Sequence, residues 1–95
     1  MNVNLEMALR LINLGAYDRA VEELKNAISA EKKNKNKAGA VEIRCILGEL
    51  YGNLDMKKEA KAEFKKVIEY CDETKSLPKQ REIAENYLSS NTKKK

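Results

Sequence analysis

The sequence predicts an all-α fold built from two antiparallel helix pairs and a C-terminal capping helix, five helices in all. Ala, Leu, Lys and Glu are abundant, 36% of the residues are charged, and the chain has one Pro and no Trp, which is a helical composition. Apolar residues recur at intervals of three and four, and no stretch alternates as a strand does. The pattern around Gly48 also recurs around Ala8, 40 residues earlier, so the chain contains an internal repeat.

The clearer copy of the repeat is Leu47-Gly48-x-x-Tyr51, followed by Ala60 and Phe64. Small residues and aromatic residues at these helical spacings are typical of a packed helix pair. Gly48 stands in the middle of a predicted helix, where it costs about 1 kcal/mol relative to Ala. We therefore expect Gly48 to mark a close contact with another helix. The weaker copy counts from Ala8 to Leu11, Ala20, Leu24 and Ala27.

The first helix is predicted over residues 3–14, with Asn2 or Asn4 as its N-cap and Gly15 at its end in the left-handed region. Its polar residues make one narrow stripe, so two apolar faces need cover. One face is predicted to meet the second helix and consists of Met7, Leu11 and Leu14. The other face consists of Leu5, Leu9 and Ile12.

The other helices follow the same pattern. Asp18 is predicted to cap the second helix and Asp55 the fourth. The third helix is predicted over 40–53 and the fourth over 56–75, and Pro78 suits the first turn of a fifth helix. The polar segment between the second and third helices, Lys32–Gly39, is expected to be the most mobile internal segment.

Length and charge predict a single domain. A chain of 95 residues can bury a core without metals or disulfides. We expect one domain over 1–90, with helix pairs at about 3–33 and 40–75 and a capping helix at about 78–90. A disordered Lys-rich tail is expected over 91–95. The net charge of +4 arises at the two ends of the chain.

Catalysis is not expected, because the chain has no His, no Gly-rich phosphate loop and no nucleophile with an evident base. No ligand cluster suggests a metal, and no cofactor is expected. Cys45 and Cys71 are interpreted as reduced, small apolar packing residues. No apolar run approaches the ~20 residues that span a bilayer, and no signal sequence is evident, so a cytoplasmic location without membrane contact is expected.

Leu47-Gly48-x-x-Tyr51, with Ala60 and Phe64, resembles the tetratricopeptide repeat, whose helix–turn–helix unit carries these residue types at these positions. The spacings of 40 residues from Ala8 to Gly48 and 36 from Gly48 to Ala84 exceed the usual period of about 34, and the closing Pro of the repeat is missing. The resemblance implies about two and a half repeats in a right-handed α–α superhelix. It also implies a non-catalytic scaffold whose first helices line a concave groove for an extended peptide or an amphipathic helix.

The resemblance also assigns the groove. The first helix of each repeat unit and the capping helix would contribute Leu5, Leu9, Ile12, Cys45, Glu49, Arg81, Glu85 and Leu88. Related proteins that clamp a peptide carboxylate use Lys, Asn and Arg at such places. In this chain Leu5, Leu9, Cys45 and Glu49 stand at those places, so that activity is not inferred. A protein or peptide partner is expected, but its identity is not indicated.

Two other interpretations stay open. The apolar stripe Leu5, Leu9 and Ile12 could bury against a second copy of the chain, which would make a homo-oligomer. The lysine clusters, Lys32–Lys37 and Lys93–Lys95, could instead contact phosphates of a nucleic acid. A solvated surface explains these lysines more simply, because no aromatic residue is interleaved with them.

Overall fold

A computed structural model describes residues 2–92, which fold into five α-helices. Each helix packs against the next along the chain, and α5 also reaches α3. The predicted all-α fold is therefore confirmed. The helices are α1 (Val3–Asn13), α2 (Tyr17–Lys33), α3 (Lys37–Asn53), α4 (Lys57–Thr74) and α5 (Pro78–Thr92). The prediction of a disordered tail over 91–95 is wrong for Asn91 and Thr92, which belong to α5, and residues 93–95 lie outside the described residues.

The first three connections are tight turns of the same shape. Each places its second residue in the left-handed region: Gly15 at φ 79°, Lys35 at φ 60° and Asp55 at φ 63°. The next N–H then donates to the carbonyl oxygen five residues earlier, from Ala16 to Leu11 (2.9 Å), Asn36 to Glu31 (2.8 Å) and Met56 to Tyr51 (2.9 Å). The turns stand 20 residues apart, so antiparallel helix pairs recur every 40 residues, as the internal repeat predicts.

Helix capping agrees with the sequence at one end and differs at two. Asn2 caps α1, because its side-chain oxygen accepts the N–H of Leu5 at 3.0 Å. The predicted caps Asp18 and Asp55 are wrong: α2 and α4 begin after Ala16 and Met56 without a side-chain cap. The reason is the shape of the turn, in which the cap position directly follows the left-handed residue. Asp55 itself takes the left-handed place, and Asp18 lies in the first turn of α2.

The polar segment Lys32–Gly39 consists of helix ends around one three-residue turn. α2 continues through Lys33 and α3 begins at Lys37, so the predicted start of the third helix at residue 40 is three residues late. Asn36 explains the early start. Its side-chain oxygen accepts the N–H of Gly39 at 3.0 Å, and its amide nitrogen donates to Glu31 at 2.9 Å.

Two glycines of α3 make room for aromatic rings from the following helices. A Cβ at Gly48 would lie 2.9 Å from Cζ of the fully buried Phe64 of α4. A Cβ at Gly52 would lie 3.0 Å from Cε1 of Tyr87 of α5. The rings of Phe64 and Tyr87 pack at a centroid distance of 4.9 Å. The predicted close contact at Gly48 is confirmed, and it holds the α3–α4 pair and the capping helix together.

Candidate functional site

The first helices of the successive pairs and the capping helix share a pocket of about 380 Å³. We call it the acidic pocket, because its lining residues within 2–92 include three carboxylates and no Lys or Arg. Its apolar surface comes from α1, α3 and α5 and consists of Leu5, Ile43, Cys45, Ile46 and Ile83. Its polar lining consists of Glu31, Asn36, Glu42, Glu49 and Gln80, with Gly39 beside them.

The three carboxylates are held in different ways. Glu31 is fixed by two amides, since it accepts Asn2 Nδ2 at 2.8 Å and Asn36 Nδ2 at 2.9 Å. Glu42 and Glu49 are exposed, seven residues apart on α3, and neither takes part in an ion pair within residues 2–92. The pocket therefore offers two unpaired negative charges above an apolar surface.

The thiols are packing groups. Cys45 is 2% exposed, and its Sγ lies 4.0 Å from the carbonyl oxygen of Gln80. Burial, with smaller contributions from the Glu49 carboxylate and Cys71, raises the pKa of Cys45 from 9.0 to about 12. Burial also raises the pKa of Cys71. Both thiols are therefore protonated at neutral pH, which makes them poor nucleophiles and poor metal ligands.

The structure brings together only part of the predicted groove. Leu5, Cys45 and Glu49 line the acidic pocket. Arg81 instead turns towards Asp72 of α4, to which its guanidinium donates at 2.8 Å, and it also donates to Glu85 of its own helix α5 at 3.0 Å. Neither Arg81 nor Glu85 lines the acidic pocket. The hydrogen bond to Asp72, and to a smaller extent the one to Glu85, raises the pKa of the Arg81 guanidinium.

The α5 residues that line the pocket are Gln80 and Ile83. The predicted groove residues were those that occupy equivalent positions when the repeat units are aligned. The part of α5 that lines the pocket is instead the face that turns back towards α3. Glu42 also lines the pocket, although the alignment of the repeat units did not predict it. The acidic and apolar face of α3, with Glu42, Ile46 and Glu49 at helical spacing, is the sequence signal that could have identified it.

The apolar surface of α1 also differs from the prediction. Ile12, like Leu88 of α5, is half-buried against the core, whereas Leu9 is 44% exposed; none of the three lines the pocket. Of the residues predicted to face α2, only Leu11 is buried, and Leu14 is 77% exposed. The cause is the short first helix, which ends before Leu14 and leaves that side chain in the turn.

Paired helices, recurring turns and packing in chain order together define a helical repeat protein. Residues 41–74 match the family model of the tetratricopeptide repeat. The match runs from the second turn of α3 to the end of α4 and includes the contact between Gly48 and Phe64. Over these residues the chain is similar to a tetratricopeptide repeat. Searches of curated proteins and of solved structures returned no significant match.

The similarity to this repeat suggests a general role. Proteins with this repeat generally act as non-catalytic scaffolds for protein–protein interactions, and a protein partner is the corresponding expectation for this chain. Within residues 2–92, no helix is both long enough and apolar enough to cross a membrane.

Proposed function

We propose that the chain is a non-catalytic scaffold that binds a peptide or an amphipathic helix in the acidic pocket. The observation that supports this most is the composition of the pocket, in which unpaired carboxylates stand over apolar side chains from three helices. The matching occupant is a segment with one or two apolar side chains flanked by Lys or Arg. The carboxylates would repel the phosphates of a nucleic acid.

The two kinds of surface contribute differently. Burial of apolar area yields about 25 cal/mol per Å², so Leu5, Ile46 and Ile83 supply most of the affinity. An exposed ion pair yields about 0.2–1 kcal/mol, so Glu42 and Glu49 mainly orient the bound segment and speed its association. This division predicts that a lysine-flanked polar peptide binds poorly and that a lysine-flanked apolar peptide binds better.

The test uses the fluorescence anisotropy of a dye-labelled peptide, Lys-Lys-Leu-Phe-Leu-Lys-Lys, with the full chain. Replacing Glu42→Lys and Glu49→Lys together is expected to weaken binding about tenfold. The matched control carries Glu22→Lys and Glu59→Lys, which change the same charge at exposed positions of α2 and α4. Equal weakening by both pairs of substitutions would show that only net charge matters and would contradict the proposal.

Self-association through the exposed side chain of Leu9 is a further part of this proposal. An exposed leucine on α1 beside the pocket residue Leu5 gives a second copy an apolar contact. Leu9→Glu is expected to leave the far-UV circular dichroism unchanged and to lower the mass measured by sedimentation at high concentration. An unchanged sedimentation profile that shows a dimer for both chains would place the contact elsewhere.

A further inference from the structure

A second pocket, of about 590 Å³, lies on the other side of α3. We call it the basic pocket, since its lining residues in the described part of the chain include four Lys or Arg and no Asp or Glu. Its lining residues are Lys32, Lys35, Lys37, Ala40, Val41, Arg44 and Tyr70. The α3 residues among them recur at three and four positions, as do those of the acidic pocket, but on the opposite face of the helix.

The floor of the basic pocket is apolar and firmly held. Ala40 and Val41 of α3 are buried, and Tyr70 of α4 is half-buried. Arg44 forms a wall and is already neutralised, because its guanidinium lies 2.7 Å from Glu63 and both side chains are largely buried. The remaining net charge of the pocket therefore comes from the three lysines.

The three lysines are exposed. They come from the last turn of α2, from the turn, and from the first residue of α3. No ion pair within residues 2–92 involves Lys32, Lys35 or Lys37. The turn fixes the backbone from which these side chains extend. Lys35 adopts the left-handed conformation and donates its N–H to the carbonyl oxygen of Lys32 at 2.9 Å. The first turn of α3 has no acidic residue, so its dipole adds positive potential nearby.

We propose that the basic pocket binds an acidic peptide segment that carries an aliphatic or aromatic side chain. The side chain enters between Val41 and Tyr70, and the flanking carboxylates meet the lysines. A nucleic acid backbone would satisfy the lysines but leave the apolar floor uncovered, whereas this peptide covers both. The site goes beyond the binding proposed above, because it uses another face and selects the opposite charge. Two partners of opposite charge can then occupy the two faces of α3 together.

The test uses the folded full chain and three dye-labelled probes. They are Glu-Glu-Leu-Phe-Leu-Glu-Glu, the same peptide with a Ser-Ser-Ser centre, and a single-stranded oligothymidine. The apolar glutamate-flanked peptide is expected to bind at least about tenfold more tightly than the serine-centred peptide, and also more tightly than the oligothymidine. Equal binding of the serine-centred peptide, preferred binding of the oligothymidine, or no binding of the apolar peptide would overturn the proposal.

Matched variants locate the binding. Lys35→Glu with Lys37→Glu is expected to weaken binding about tenfold, while Lys57→Glu with Lys58→Glu, the same charge change at the start of α4, has less than about a twofold effect. Tyr70→Ser is expected to weaken binding, and Tyr17→Ser, at an exposed tyrosine of α2, to leave it unchanged. Circular dichroism checks the fold of each variant. Equal effects within either matched pair would overturn the assignment.

The two proposals can fail separately. Glu42→Lys with Glu49→Lys lies on the opposite face of α3 and is expected not to weaken the glutamate-flanked peptide. Loss of that peptide's binding in this variant would place it at the acidic pocket and overturn the inference. The binding of the lysine-flanked peptide tests only the acidic pocket.

Discussion

Adding one methyl group at Gly48 tests the packing that holds the repeat together. The Cβ of Gly48→Ala would lie 2.9, 3.0 and 3.1 Å from Cζ, Cε1 and Cε2 of Phe64. Ring atoms cannot swing aside as the end of a flexible chain can. Phe64 is fully buried, and the ring of Tyr87 stands 4.9 Å from it. The helices must therefore move apart or the ring must leave its rotamer.

The expected change in the free energy of unfolding for Gly48→Ala is the difference between a stabilising and a destabilising effect. Gly→Ala in the interior of a helix ordinarily stabilises by about 0.5–1 kcal/mol. Overpacking of a core costs about 1–3 kcal/mol. We expect Gly48→Ala to lower the free energy of unfolding by about 1–2 kcal/mol, and the Tm by about 5–10 °C for a domain of this size.

The assay is urea denaturation followed by circular dichroism, with Phe64→Leu as the second member of a double-mutant cycle. The smaller side chain removes the ring atoms that the new methyl group meets. In the Phe64→Leu background Gly48→Ala should therefore cost little or become stabilising, with a coupling of at least about 1 kcal/mol. Gly39 is not a neutral control, because a Cβ there would press on the capping side chain of Asn36.

Stabilisation of the wild-type chain by Gly48→Ala, as expected in an open helix, would show that the new methyl group meets no obstacle. An equal loss of stability in both backgrounds would show that the obstacle is not the ring of Phe64.

Two other predictions concern single residues. Lys75 ends α4 in the left-handed conformation at φ 55°, so Lys75→Gly should raise the free energy of unfolding by about 1 kcal/mol; an unchanged urea midpoint would contradict this. Burial raises the pKa of Cys45 from 9.0 to about 12, so above about pH 9 the unfolded chain releases this proton and the folded chain keeps it. Stability should therefore fall as the pH rises from about 8 to about 10, by about 1 kcal/mol more in the wild type than in Cys45→Ala; equal losses would argue against a buried neutral thiol.

The fold could be predicted because its signals are local. A glycine in mid-helix, followed by an aromatic residue sixteen positions later, indicates a close helix contact without further information. Gly15 likewise predicts a left-handed helix end. The caps could not be predicted in the same way, because Asp55 suits both a cap and a left-handed position. Only the hydrogen bonds of the turn decide between them.

The candidate site was less predictable because it depends on how helices turn against one another. Leu5, Cys45 and Glu49 follow from the repeat register, which fixes their rotational positions. Arg81 does not follow, since an ion pair with Asp72 of α4 takes its side chain elsewhere. The basic pocket was not predicted either. In the sequence its lysines indicate only a solvated loop, because the apolar residues of α3 and α4 beneath them are brought close only by folding.

An amide NMR titration of the full chain with the lysine-flanked peptide Lys-Lys-Leu-Phe-Leu-Lys-Lys tests peptide binding in the acidic pocket most directly. We expect chemical-shift changes concentrated at Glu42, Ile46, Glu49 and Ile83, with Lys35 unaffected. Saturable changes at these residues would establish peptide binding in the acidic pocket. Changes confined to other surfaces, or none at all, would contradict it.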